Sequence, residues 1–215
     1  MKNKKIVLLS IVLLIVGFVV ASQVYQKSID KKTAQLALNN TGAPFVRDHS
    51  PAFGENKNHV IITEFLDPEC ESCRAFHPII KEVFNDYKEE TKLVIRYLDN
   101  HPNSKFAIQL LEAARIQGKY NEALNIMFKY QPQWADHLNP KPELLWNFLA
   151  EANLNMAKLK EDYNSTDVKK MLSIDRMDAG TLGIQATPSF FVNGKYLREL
   201  SHKALLDLVE SEIYK

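Results

Sequence analysis

The longest apolar run in the chain lies near its start. Ile6 to Ala21 is broken only by Ser10 and Gly17 and follows Lys2, Lys4 and Lys5. Basic residues ahead of such a run read as an export signal. As a helix this run would rise about 24 Å, somewhat less than a hydrocarbon core of roughly 30 Å. Small residues at Val19 and Ala21 suit a cleavage site, and an uncleaved anchor with its Lys side inward suits the pattern equally. Residues 1–21 are therefore a signal peptide or a signal anchor, and either exports the remainder. Residues 22–42 turn polar and helix-tolerant up to Thr41-Gly42, as a stalk or short leading helix would.

Further along, the periodicity changes character twice. Pro44 to Arg47 suits a short edge strand, and Ser50-Pro51, Gly54 and Asn56 mark a loop. His59 to Leu66 carries Val60, Ile61, Ile62 and Phe65, a run suited to a strand buried on both faces. Asp67-Pro68 stops it. From Cys70 to about Tyr87, Phe76, Ile79, Ile80, Val83 and Phe84 recur on one helical face, and Leu93 to Leu98 reads as the next strand. Strand, helix, strand is a βαβ unit with parallel strands and a right-handed crossover. Four helical patches follow, at Ser104–Gln117, Asn121–Tyr130, Pro142–Met156 and Thr166–Thr181. The third is the clearest, with Leu145, Phe148, Leu149, Ala152 and Met156 on one face. Strand signals resume at Ser189–Val192 and Tyr196–Arg198 around Asn193-Gly194, a strong hairpin signal. Ser201 then caps a last helix faced by Leu205, Leu208 and Val209. The expected fold class is α/β, a mixed sheet interrupted by a helical subdomain. Residues 43–100 and 185–215 form its two parts, and 101–184 the insertion.

Composition narrows the classes without naming one. The chain has 215 residues, 46% of them hydrophobic and 25% charged, which is globular composition. Its formal charge of +1 gives no support to a nucleic-acid partner. Beyond residue 21 the charge is −2, so nothing draws that body to anionic lipid. Two cysteines exclude a disulfide-dense scaffold and a four-thiolate metal site.

Those two cysteines carry the chemistry. Cys70-Glu71-Ser72-Cys73 falls where a buried strand ends and a helix begins. The orphan N–H groups and positive dipole end of the first helical turn favour thiolate over thiol at Cys70, the attacking sulfur. Cys73, one turn further in, can resolve a mixed disulfide by intramolecular attack, or close a redox-active disulfide with Cys70. A purely structural disulfide here would close almost no loop. A soft-metal site using Cys70, Cys73 and His77 would lack an evident fourth ligand. Glu64 interrupts the apolar run six residues before Cys70. It lies either on an exposed edge or buried near the sulfurs, where a raised pKa would suit proton exchange with Cys73. Pro78 removes a helical N–H. Thr187-Pro188 precedes the final strand pair, and a cis bond there would turn the Thr187 backbone toward Cys70. A rival reading makes the helical lobe a client-binding module through Trp134, Trp146 and Phe148; such aromatics more commonly serve as core. His49, His59, His101, His137 and His202 show no convergent spacing and receive no role.

Phe65, Asp67-Pro68, the Cys70–Cys73 motif and, far downstream, Ala186-Thr187-Pro188-Ser189-Phe190-Phe191-Val192-Asn193-Gly194-Lys195 resemble the DsbA-like branch of the thioredoxin superfamily. Asp48-His49-Ser50-Pro51-Ala52-Phe53-Gly54 resembles the segment before the first core strand of membrane-anchored members. The resemblance implies a thioredoxin-like sheet with a helical insertion and thiol–disulfide exchange on exported proteins. Cys70 would be the nucleophile, Cys73 the resolving thiol, Glu64 the buried acid, Pro78 the helix-kinking proline, Pro188 the cis-proline and Thr187 the residue pairing with substrate. It implies no cofactor and no metal. Its partners would be exported substrates bearing thiols or disulfides and a recycling protein in the membrane, at a periplasmic or extracytoplasmic site. One departure bears on direction. Strongly oxidising members place a Pro-containing pair between the cysteines, whereas here Glu71-Ser72 stands there, and Glu71 would disfavour a thiolate unless it points to solvent. The oxidising direction is the expectation, with isomerase or reductase chemistry left open.

Overall fold

The computed structural model describes residues 2–38 and 43–215. β-Branched Val60, Ile61, Ile62 and Thr63 open the central strand β2 (Val60–Leu66), which runs parallel to β3 (Thr91–Tyr97) across the helix α2 (Glu71–Asp86). This is the expected βαβ unit. β4 (Ser189–Val192) joins the other side of β2 antiparallel, and β5 (Lys195–Tyr196) follows it through Asn193-Gly194, both with positive φ (46° and 78°). That conformation is the reason Asn-Gly suits a two-residue hairpin. β1 (Ala52–Phe53) closes the far edge on β3, giving the order β1-β3-β2-β4-β5. Gly54, at φ 94°, comes so close to this edge that a Cβ would lie 2.3 Å from the Thr91 carbonyl.

Alternation along the strands divides the interior in two. Ile62 and Leu66 of β2, Leu93, Ile95 and Tyr97 of β3, and Phe190 and Val192 of β4 enter the main core. They pack there with α2, the final helix α9 (His202–Ile213) and the helical lobe. Phe65 and Phe191 face the other way, into a smaller cluster with Phe45, Leu98, Ala179 and Leu182. The lobe contains α3 (Ser104–Ile116), α4 (Tyr120–Lys129), α5 (Gln131–Trp134), α6 (Leu145–Phe148), α7 (Met156–Ser165) and α8 (Lys169–Leu182). Trp134 is fully buried with its indole N–H on the Met127 carbonyl (2.8 Å), Phe148 stacks on Tyr130, and Trp146 packs edge-on to Phe106 and Tyr163. The three aromatics considered for client binding are thus engaged in the lobe's own packing.

Three expectations need correction. Pro44–Arg47 forms a turn and a loop, and Ala52–Phe53 takes the edge instead. The polar groups of that segment go elsewhere: the Pro44 carbonyl accepts from Arg96, and the Arg47 guanidinium grips Asp178 at 2.7 and 2.8 Å. The segment Pro142–Met156 is no single helix. A 3₁₀ turn at Pro142–Leu144, α6 and a second 3₁₀ turn at Leu149–Ala152 end at Asn153, in the left-handed region at φ 53°. Asn155 then caps α7, its side chain accepting the Lys158 N–H (3.1 Å). α8 begins at Lys169, three residues later than Thr166. Ser201 does cap the last helix, accepting the Ala204 N–H at 3.2 Å.

At the amino end, α1 (Lys2–Leu38) continues without a break past residue 21, so the leading apolar run and the expected stalk are one helix. Thr41-Gly42, the expected end of that segment, lies outside the described residues. Within the Ile6–Thr33 stretch of α1 an 18-residue window reaches a mean hydropathy of 2.7, long and apolar enough to cross a membrane. Leu36 packs against the smaller cluster, and Arg198 donates to Gln26 at 2.8 Å.

A fully buried ion cluster fixes α8 to the sheet. Arg96 of β3 donates to Asp175 at 2.6 and 3.0 Å and to Asp178 at 2.6 Å, and lies over the Phe65 ring. Asp175 also accepts the Tyr97 N–H (2.7 Å) and pairs with His49 at 2.7 Å. Removing the guanidinium leaves buried Asp175 with only the Tyr97 N–H and His49, and Asp178 with only Arg47, which costs more than the intact cluster contributes. Arg96→Met should lower the unfolding free energy of the full-length chain in detergent by about 3–5 kcal/mol in a urea titration. A loss below about 1 kcal/mol would contradict this account.

Candidate active site

Cys70 is the N-cap of α2, in extended conformation (φ −72°, ψ 122°), and Cys73 lies one turn inside it. Both are free thiols; Cys73 is fully buried and Cys70 almost so. The Cys70 carbonyl accepts the Arg74 N–H (3.1 Å), so the helix starts on the cysteine itself. Pro78 sits within α2, which continues to Asp86.

The two thiols are driven apart in acidity. The Cys73 S–H, donating to the Cys70 sulfur, is the largest influence and brings Cys70 down to about 5. Burial opposes it, while hydrogen bonds from Thr187 and from the backbone of Cys73 and Ser72 reinforce it. The first-turn N–H groups expected to stabilise the thiolate therefore act, but behind the neighbouring thiol. Burial, followed by the Cys70 sulfur, pushes Cys73 well above the ordinary thiol range, with Glu64 adding repulsion. One sulfur is thus ready to attack at neutral pH and the other keeps its proton.

Glu64 lies on the α2 side of β2, between β3 and β4, and is 3% exposed. Of the two placements open from sequence, burial is the one observed. Burial raises its carboxyl to about 8. It also lines a cavity of about 200 Å³ with His77, Lys81, Tyr120, Asn121 and Asn125. This is roomy enough for water beside the carboxyl. His77 is taken up by Asn125 (2.8 Å) and the Phe128 ring, with burial lowering its pKa. Among the described residues no three His, Cys, Asp or Glu side chains group as a metal site.

Thr187-Pro188 is cis, and the Thr187 carbonyl oxygen lies 3.2 Å from the Cys70 sulfur, so residues 117 apart in sequence meet there. Glu71 and Ser72 are exposed, and Glu71 is 3.7 Å from His137. The acid expected to disfavour the thiolate thus faces solvent.

Sequence reasoning missed the residues that hold the Asp67–Cys70 turn. Asp67 is fully buried; it accepts the Glu69 N–H (2.9 Å), the Asn100 N–H (3.0 Å) and His101 Nδ1 (2.7 Å). Glu69, also buried, accepts the Asn103 backbone and side chain (2.6 and 2.8 Å) and the Ser104 hydroxyl (3.3 Å). Gln131 of α5 donates to the Pro68 and Cys70 carbonyls at 2.9 and 3.0 Å. Its orientation is not ambiguous, because two carbonyl acceptors require the amide nitrogen. Two acids directly before the nucleophile were the available signal for Asp67 and Glu69; Gln131 had none.

The family model described as thioredoxin matches residues 47–211. Among solved structures, a thioredoxin-like oxidoreductase from Silicibacter pomeroyi superposes with a TM-score of 0.68 at 22% identity, covering 82% of this chain and 99% of that one. The thiol-disulfide exchange protein alpha-DsbA2 from Wolbachia pipientis gives 0.70 at 19% identity, covering 85% and 96%. At these identities the likeness carries the fold: a thioredoxin sheet with a helical insertion. Among curated proteins, the Na(+)/H(+) antiporter NhaA of Herminiimonas arsenicoxydans is 28% identical over 145 residues, 67% of this chain. The chain spans only 22% of that relative's length, and 22–24% of the others like it.

Glu64 gives a stability prediction whose sign follows from its raised pKa. The unfolded carboxyl ionises near 4.5 and the folded one near 8. Folding therefore retains a proton that the unfolded chain loses, and stability falls from about pH 4.5 upward until it levels off above about 8. Glu64→Gln, which cannot ionise, should be more stable than the parent at pH 7, by about 3 kcal/mol, with the gap closing below pH 4.5. Equal stability of the two proteins at pH 7 would contradict the buried, protonated acid.

Proposed function

The chain belongs to the thioredoxin family, and on that footing we propose that it is a thiol–disulfide oxidoreductase acting on exported proteins. The observation that carries this reading is the split between the cysteines: a sulfur at the start of α2 that ionises near 5, touching one held as a thiol. Exchange needs both. The attacking or leaving sulfur should be a stable thiolate, and its partner should hold or accept a proton.

In the oxidising direction a substrate thiolate attacks Cys70 of the Cys70–Cys73 disulfide. The bond between the two cysteines breaks, Cys73 leaves and is protonated with help from Glu64, and a mixed disulfide stands at Cys70. A second substrate thiolate attacks that bond, the substrate leaves oxidised, and Cys70 departs as thiolate. Substrate would lie along the groove between Pro188, the Cys70 turn and the helical lobe, where Thr187 already meets the sulfur. In the reducing direction the Cys70 thiolate attacks a substrate disulfide and Cys73, deprotonated by Glu64, resolves it. A Cys70 that ionises near 5 leaves readily and favours the oxidising direction. The solvent-facing Glu71 removes the sequence argument against it.

The apolar stretch of α1 supports a single signal or anchor ahead of the domain, which would place the site on the extracytoplasmic side of a membrane. A membrane partner that recycles the pair fits that position. Two neighbouring findings fit the rival classes poorly: the lobe's aromatics are engaged in packing, and His77 is bound to Asn125.

Replacing Cys73 by Ala should leave Cys70 able to form mixed disulfides but unable to discharge them. Exported extracts should then yield adducts that run at higher mass on non-reducing gels and disappear with reductant. Cys70→Ala/Cys73→Ala should yield none. Absence of Cys70-linked adducts from the Cys73→Ala chain would refute the proposed chemistry.

A further inference from the structure

Two acids crowd the turn that carries the nucleophile. Asp67 and Glu69 stand three residues and one residue before Cys70, both buried, and their oxygens accept six hydrogen bonds between them. A thiolate at Cys70 would make a third anion. The pair between the cysteines brings no relief, because Ser72 is neutral and Glu71 turns outward to His137. Among the described residues, the one cationic side chain that pairs with Asp67 or Glu69 is His101. It stands just ahead of α3, with its Nδ1 2.7 Å from Asp67 Oδ2, its backbone N–H on the Ser104 hydroxyl (3.1 Å), and its side chain 31% exposed. The Cys70 backbone N–H in turn donates to the Asp67 backbone carbonyl at 3.1 Å, so the residue that holds the imidazole and the residue that bears the sulfur belong to one short turn.

We propose that His101, held by Asp67, is the counter-charge of the Cys70 thiolate, taking up a proton when the Cys70–Cys73 pair is reduced and giving it back on oxidation. This deepens the oxidoreductase reading and rests on it. The groups facing the imidazole are Asp67, Glu69 and Cys70 from the turn; nearby Asp99 is engaged by Arg176. Burial lowers the basicity of His101, while the hydrogen bond and charge of Asp67, then the charges of Cys70 and Glu69, raise it to a net upward displacement. Oxidation removes the Cys70 charge and leaves the others, so the imidazole holds its proton less tightly beside the disulfide. By reciprocity the protonated imidazole favours the thiolate. The step balances. A substrate dithiol gives two electrons and two protons to the enzyme disulfide; Cys73 keeps one proton as a thiol, His101 keeps the other, and Cys70 is left as thiolate. His101 acts through Asp67 and Cys70, and is a positioning residue.

The test uses the full-length chain in detergent and reads Cys70 by its rate of alkylation with iodoacetamide against pH. His101→Gln should raise the midpoint by about 0.5–1 pH unit, because Asp67 then faces the thiolate without its counter-charge. Asp67→Asn/His101→Gln, which removes both charges, should bring the midpoint back toward the parent value. A parent-like midpoint in His101→Gln would overturn the proposal. A second measurement needs no variant: the NMR titration of His101 should show a higher pKa in the dithiol than in the disulfide form, and equal values would also overturn it. If instead the parent's Cys70 titrates as an ordinary thiol near 9 and the Cys73→Ala chain traps nothing, the oxidoreductase reading falls and this inference with it. A low parent midpoint with no response to His101 sinks the inference alone.

Discussion

The opposed acidities of the neighbouring Cys70 and Cys73 thiols are the constraint around which the site is organised. Chemically the two residues are identical. Only position separates them: one caps α2 and keeps a sliver of exposure, the other lies a turn deeper with no access to water. Each charge state of one is paired with the opposite demand on the other, so a proton shared unequally becomes a nucleophile and a reserve thiol. Glu64, buried on the α2 side of β2, completes that arrangement as an acid that keeps its proton near neutrality.

Such an arrangement works only if the Asp67–Cys70 turn is rigid, and the helical lobe supplies the rigidity. Its first residues hold Asp67 and Glu69, and Gln131 from α5 holds the Pro68 and Cys70 carbonyls. Thr187, from the chain returning to the sheet, meets the sulfur on another side. Beyond β3, the buried Arg96 with Asp175 and Asp178 locks α8 against the sheet, so the lobe is fastened on both faces. The insertion therefore holds the Asp67–Cys70 turn directly.

The central sheet was largely legible in the sequence, because β2 and β3 are apolar runs rich in β-branched residues and the turns carry Asn-Gly or Asp-Pro. Cys70, Cys73, Glu64, Thr187 and Pro188 were legible as candidates from their spacing around one strand-to-helix junction. The lobe was less so. Leu145, Leu149 and Ala152 are buried at helical spacing, yet Pro142 and Asn153 divide the segment into single turns, which periodicity alone does not report. The edge was missed because a proline, a phenylalanine and an arginine read as a strand, whereas their burial and ion pairing are settled by Arg96 and Asp178, about 50 and 130 residues away. His101 and Gln131 were invisible for the same reason: each acts on the turn from over thirty residues downstream, and no local pattern marks either.

The most direct test of the central claim is the equilibrium of the Cys70–Cys73 pair with glutathione at pH 7. A sulfur that ionises near 5 stabilises the reduced pair about 50-fold more than one ionising at 7, which is about 50 mV in a two-electron couple. The account predicts a potential near −220 mV or higher, more oxidising than thioredoxin at about −270 mV. A value at or below about −270 mV would show that the Cys70 thiolate is not specially stabilised, and would contradict it.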